Sequence, residues 1–124
     1  MFSYNFYNVV HVVGIILVMT GLAVMITGAL GSNPAGPKLR RISFIFHGIG
    51  VFLILLGGFG MLARLGIVRG TSWPGWVWVK AFVWGALGVA AFLPHRFPAT
   101  ARPLLLLLPI LGGLAAYMAI YKPL

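Results

Sequence analysis

Four long apolar segments constrain the fold of this chain more than any other feature. A helix of about 20 residues crosses the hydrocarbon core of a bilayer, and each segment is at least that long. The segments cover approximately residues 5–30, 41–65, 73–93 and 101–121, and the stretches between them are dense in Gly and Pro, which end helices. The sequence therefore predicts an all-α integral membrane four-helix bundle with up-down-up-down order, in which residues 1–124 form a single transmembrane domain in a lipid bilayer.

The charge composition excludes several classes of protein. The chain has nine Lys and Arg, no Asp or Glu, and a formal net charge of +9. Hydrophobic residues make up 61% of it, which excludes an intrinsically disordered chain. The basic residues are scattered between apolar segments rather than clustered on a polar face, and this argues against binding of nucleic acid.

The missing residue types also exclude kinds of chemistry. Without Asp and Glu there is no paired-carboxylate hydrolysis, no Ser-His-Asp triad and no carboxylate cage for Mg²⁺ or Ca²⁺. Without Cys there is no disulfide, thiolate nucleophile or Cys-ligated zinc or iron–sulfur site. A charged small-molecule partner is therefore expected to be an anion.

Local signals predict where two helices begin and where helices pack closely. Ser72 and Thr100 each precede an early proline, which combines a capping hydroxyl with a residue suited to the first helical turn. Small residues four apart, as in Ala81 and Gly85 or Gly112 and Ala116, have the spacing that allows membrane helices to approach one another.

Basic residues near the ends of the segments predict the orientation of the chain in the membrane. The first and third connections hold five of them, Lys38, Arg40, Arg41, Arg96 and Arg102. The opposite side holds three, Arg64, Arg69 and Lys122. Since basic connections stay in the cytoplasm, this difference favours both termini outside.

Three ionisable residues, His11, His47 and Lys80, lie inside the apolar segments, where such groups are costly and are functional candidates. His11 and Lys80 each lie about 10 Å from the same membrane face, at a rise of about 1.5 Å per residue. They could therefore line a single cavity. His47 enters from the opposite face, so a haem ligated by His11 and His47 at one level is not predicted.

Lys80 has no carboxylate side chain anywhere in the chain to pair with. Three alternatives remain: its ammonium extends to the interface, it loses its proton or binds carbonyls, or it binds an external anion. Trp76 and Trp84 lie four residues before and after it and would flank such an anion, and Arg64 could add a second cation.

The surroundings of the two histidines favour a flat ligand or a structural hydrogen bond about equally. Gly14 lies one turn from His11 and leaves space against the helix, and His47 is followed by Gly48 and Gly50. The alternative for each imidazole is a hydrogen bond to a neighbouring helix.

Three segments carry a resemblance to a known family. They are His11-Val-Val-Gly-Ile-Ile-Leu-Val-Met-Thr-Gly21-Leu22, Trp76-Val-Trp-Val79-Lys80 and the terminal Lys122-Pro123. In order and spacing the chain resembles the HemJ-type protoporphyrinogen IX oxidases, small four-helix membrane proteins.

The resemblance implies an enzyme of haem biosynthesis in the bacterial inner membrane, which removes hydrogens from protoporphyrinogen IX and passes electrons to a respiratory-chain acceptor. It implies haem b as cofactor, with His11 and Lys80 as the essential residues. His11 is then the candidate iron ligand or proton acceptor, and Lys80 an anchor for a porphyrin propionate. His47, Arg64, Trp76 and Trp84 are the further candidates for cofactor binding.

Two non-enzymatic alternatives stay open from the residues alone. One is a carrier or channel that uses Lys80 and Arg64 for an anionic small molecule and that would need a homo-oligomer. The other is an assembly subunit whose partner supplies acidic groups to the cationic connections.

Overall fold

The computed structural model describes residues 2–31, 36–67 and 73–122 and confirms the all-α four-helix membrane bundle. Its helices are α1 (Tyr4–Leu30), α2 (Pro37–Arg64), α3 (Gly75–Ala90), α4 (Phe92–Arg96) and α5 (Ala101–Tyr121), with a 3₁₀ turn at Pro98–Thr100. Four stretches are long and apolar enough to cross a membrane: Tyr4–Leu30, Pro37–Arg64, Gly75–Arg96 and Pro98–Tyr121. The chain is thus a multi-pass membrane protein.

Pro94 divides the third membrane-spanning stretch. Proline has no amide to donate and crowds the preceding turn, and α3 accordingly ends at Ala90, followed by the short α4. The predicted end at Leu93 was too early, because α4 carries the helical stretch on to Arg96. This break determines where His95 lies.

The helix starts differ from those predicted. Thr100 precedes α5, but its hydroxyl donates to the carbonyl of Phe97 at 2.7 Å and caps no amide. Pro74 precedes α3 rather than lying in its first turn, and Ser72 lies outside the described residues. The side-chain cap that forms is at α1, where the amide of Phe6 donates to Ser3 Oγ at 3.1 Å.

Helices α1 and α2 form the most extensive interface of the bundle. Small residues recur every seven positions along it, at Gly14 and Gly21 on α1 and at Ser43, Gly50 and Gly57 on α2. A Cβ added to Gly50 would lie 2.6 Å from the carbonyl oxygen of Gly14, and one added to Gly57 would lie 2.7 Å from the amide nitrogen of His11. Glycine is therefore needed for the two backbones to approach this closely.

The predicted close approach at the other small residues is wrong. A Cβ added to Gly85 would meet nothing within 4 Å, and one at Gly112 would meet only the terminal methyl of Met19 at 3.8 Å. Small residues at this spacing therefore do not bring another backbone close at Gly85 or Gly112.

The core lies between α1, α3 and α5, with one contribution from α2. Its buried members are Val18, Leu22, Ile26, Ile54, Val83, Leu87, Ala90, Ala91, Ala101, Leu104 and Leu108. Large apolar side chains such as Phe82, Leu106 and Ile120 instead lie more than 70% exposed on the outside, a surface suited to lipid.

Candidate intramembrane site

His11 is held by a hydrogen bond between the two closely packed helices. Its Nδ1 lies 2.8 Å from the carbonyl oxygen of Ile54 on α2. A carbonyl oxygen only accepts, so Nδ1 carries the proton and the lone pair of the neutral ring is on Nε2. Gly58 lies beside the ring, since a Cβ there would be at ordinary contact distance, 3.6 Å, from its Cε1. The ring is thus oriented by one nitrogen while the other keeps its lone pair.

Lys80 lies on α3 and is partly buried. Its charge interacts with His11 on α1 and with Lys122 at the end of α5. That His11 and Lys80 line one cavity stays a prediction. No side-chain carboxylate exists in the sequence to neutralise this group.

Lys122 is the member of this cluster that the sequence reasoning missed. It ends α5 in the left-handed conformation, at φ 48°, with its amide donating to the carbonyl of Met118 at 3.1 Å. Its Nζ lies 5.5 Å from the ring centroid of the buried Trp76, a distance at which a cation is attracted to an aromatic face. The available signal was its position directly after the fourth segment, on the membrane face nearest Lys80.

Trp84 and Arg64 are the other two predicted members of the site. Trp84 donates its Nε1 proton to the carbonyl of Val51 on α2 at 3.1 Å and packs against the main core. Arg64 is exposed in the last turn of α2, where a cation is favoured by the helix dipole. Trp76 is therefore the aromatic neighbour of the cations, and Trp84 ties α3 to α2.

His47 lies deep in the bundle, 6% exposed, with its Nε2 donating to the carbonyl of Leu87 at 2.8 Å. It faces Gly21 on α1, whereas His11 faces Gly57 on α2. Positions 11 and 21 are about 15 Å apart along a helix. The two histidines thus lie at different depths.

The described residues contain no group of three or more His, Cys, Asp or Glu that could hold a bare metal ion. A haem needs fewer protein ligands, because its porphyrin supplies the equatorial nitrogens. His11 would hold the iron of such a group, since metal-binding histidines usually donate their other N–H to a carbonyl or carboxylate. His47 also donates one ring nitrogen to a carbonyl, but it is only 6% exposed inside the bundle. His11, which is partly exposed, is therefore the more accessible of the two candidate ligands.

Comparison of the chain with protein-family models, curated proteins and solved structures finds no match.

Proposed function

We propose that the protein is a tetrapyrrole-binding membrane oxidoreductase similar to the HemJ-type protoporphyrinogen IX oxidases, with haem b as its cofactor. The observation that carries the proposal is the hydrogen bond from His11 Nδ1 to the carbonyl of Ile54. It fixes the tautomer and the direction of the ring, and leaves Nε2 to bind iron.

The cations around His11 support a ligand with carboxylates. Lys80 and Lys122 interact with each other's charge and come from different helices. An anion placed between them would relieve their repulsion, and porphyrin propionates are such anions. The buried Trp76 lies beneath Lys122 and helps to hold that cation in place.

Bound haem would supply the electron-transfer chemistry that the side chains lack. The chain's own residues would bind the macrocycle and orient it. His11 holds the macrocycle at its depth, Lys80 and Lys122 bind its carboxylates, and the apolar helices exclude water. The electrons and protons that leave the substrate would be taken up together by successive quinones of the respiratory chain, which become quinols.

The test is haem binding by the purified full-length protein. We expect a Soret band on addition of haemin, a shift on reduction with dithionite, and loss of this spectrum in His11→Ala. Added imidazole should restore the spectrum, because it replaces the missing ligand without repairing anything else. His95→Ala is the matched control, since His95 is exposed at the other end of the bundle. An equal spectrum in His11→Ala and the wild type would contradict the assignment.

Activity is measured separately, as anaerobic formation of fluorescent porphyrin from protoporphyrinogen IX with a quinone present. If the protein binds haem but forms no porphyrin, the proposed haem site stands and the proposed oxidase activity is refuted.

A second candidate function is an anion carrier that works as a homo-oligomer. The interaction between Lys80 and Lys122, in a chain without acidic side chains, supports it. Anion flux in proteoliposomes that Lys80→Met abolishes and Lys38→Met does not would favour it over the oxidoreductase.

The orientation proposed is both termini outside the bacterial inner membrane. Arg40 and His95 meet at one end of the bundle and Lys122 lies at the other, which supports the assignment of connections to faces. The natural chain has no cysteine, so Phe2→Cys and Phe97→Cys give clean reporters. An impermeant maleimide should label only Phe2→Cys in intact cells.

A further inference from the structure

A pocket with two basic side chains in its lining lies at the opposite end of the bundle from His11 and Lys80. Its volume is about 250 Å³, and it is lined by Met25, Gly28, Ala29, Gly31, Arg40, Pro94, His95 and Pro98. Pockets for drug-sized ligands are about 300–1,000 Å³, so this one suits a small headgroup.

Two cationic or protonatable side chains from different helices meet in this pocket. Arg40 Nη1 lies 3.5 Å from His95 Nδ1. A guanidinium only donates, so Nδ1 accepts and the remaining proton of a neutral ring is on Nε2. The edge of the His95 ring packs against Phe44, with centroids 5.9 Å apart. Arg40 and His95 are thus held together, each with N–H groups left to donate.

The break at Pro94 brings His95 to this place. The short α4 follows the end of α3 at Ala90 and carries His95 beside the first turn of α2. Pro94 itself is buried against the pocket.

Arg40 differs from the other basic residues of this end in its burial. It is partly buried, whereas Lys38, Arg41, Arg96 and Arg102 are exposed. The exposed four are explained by orientation of the chain in the membrane. That explanation does not account for Arg40, which lines a pocket and has no acidic side chain in the sequence to pair with.

We propose that this pocket binds a phosphate group, with Arg40 and His95 as its donors. Basic pockets between membrane helices bind the headgroups of anionic phospholipids, and a guanidinium matches phosphate geometry with paired N–H groups. The site is separate from that of the proposed haem and does not depend on it.

The experiment uses the full-length protein in detergent, with phosphatidylglycerol as one probe and inorganic phosphate as the other. Native mass spectrometry measures the fraction of protein that carries one bound phosphatidylglycerol. Removal of a hydrogen bond to a charged group should weaken binding about tenfold or more, so we expect that loss in Arg40→Met. Arg41→Met is the matched control, because it removes the same charge from the neighbouring, exposed position.

His95→Leu is the second variant and keeps the test valid if Arg40→Met does not fold. It should also weaken binding of phosphatidylglycerol, while circular dichroism shows unchanged helix content. Inorganic phosphate that displaces the lipid and raises the thermal midpoint of the wild type, but not of His95→Leu, would identify free phosphate as a ligand. Phosphatidylglycerol binding without that effect identifies the lipid as the source. Equal loss in Arg40→Met and Arg41→Met, or binding of neither probe, overturns the proposal.

Discussion

The imidazole of His11 donates to the backbone carbonyl of Ile54 across 2.8 Å, and this bond links the two most closely packed helices of the bundle. The close approach of α1 and α2 at this bond depends on the absence of a side chain at Gly57, which faces His11. The candidate ligand is therefore positioned by the same residues that allow α1 and α2 to approach each other.

Gly57→Ala should destabilise the protein by about 1–3 kcal/mol, the usual cost of overpacking a tight core. The added Cβ would lie 2.7 Å from the amide nitrogen of His11. Gly48→Ala is the control on the same helix, because its Cβ would meet nothing within 4 Å. There the free energy of unfolding should stay unchanged or rise by up to about 1 kcal/mol from helix propensity. Unfolding in mixed micelles with increasing dodecyl sulfate measures both, and equal effects would contradict the tight interface.

His47→Leu should destabilise the protein by about 1–3 kcal/mol, because it leaves the carbonyl of Leu87 without its donor. Leu87 lies in the last turn of α3, where carbonyls lack an amide partner in the same helix.

Trp84→Phe should cost less than His47→Leu, about 0.5–1 kcal/mol. The carbonyl that Trp84 serves belongs to Val51, in the middle of α2, where a helical amide bond to that carbonyl remains. The same micelle titration compares the two variants. A larger loss of unfolding free energy in Trp84→Phe than in His47→Leu would mean that packing rather than hydrogen bonding determines which variant is less stable.

Lys80→Met should weaken binding of haem about tenfold, the effect of losing roughly 1.4 kcal/mol. The dimethyl ester of haem has no carboxylate charge, so its affinity should be the same for the variant and the wild type. Lys38→Met removes an equal charge at the other end of the bundle and should change neither affinity. Spectroscopic titration gives both constants. If Lys80→Met weakened the ester as much as haem, Lys80 would not act on propionates.

Pro94→Ala should allow α3 and α4 to join into one helix. It restores a backbone N–H at position 94, which can donate to the carbonyl of Ala90. His95 would then turn away from Arg40, and the fraction of protein carrying phosphatidylglycerol should fall. Helix content by circular dichroism should rise or stay constant. Unchanged lipid binding would show that the break does not position His95.

The membrane spans could be predicted from the sequence because hydropathy over about 20 residues depends only on local composition. The depths of His11 and Lys80 followed from the same counting, since parallel helices that start at one face place equal offsets at equal depth. Both predictions use only distances along a single helix and need no knowledge of how the helices pack.

Partners across helices could not be predicted in the same way. The donor role of His47 towards Leu87 depends on the register between α2 and α3, and the contact of Lys122 with Trp76 depends on how α5 ends. The repeat of small residues every seven positions on α1 and α2 was present in the sequence and indicates a long supercoiled contact. The shorter spacing on α3 and α5 was the more familiar signal and pointed to the wrong pair.

The glycine-lined contact between α1 and α2 makes the interfaces of the bundle unequal in extent. The α1–α2 pair is held along most of its length, whereas α3 and α5 share smaller contacts with it, and sparsely packed elements open at lower free energy. His11 belongs to the α1–α2 pair, and Lys80 and Lys122 belong to α3 and to the end of α5. A ligand bound between them would therefore join the closely packed pair of helices to the two helices that contact it less.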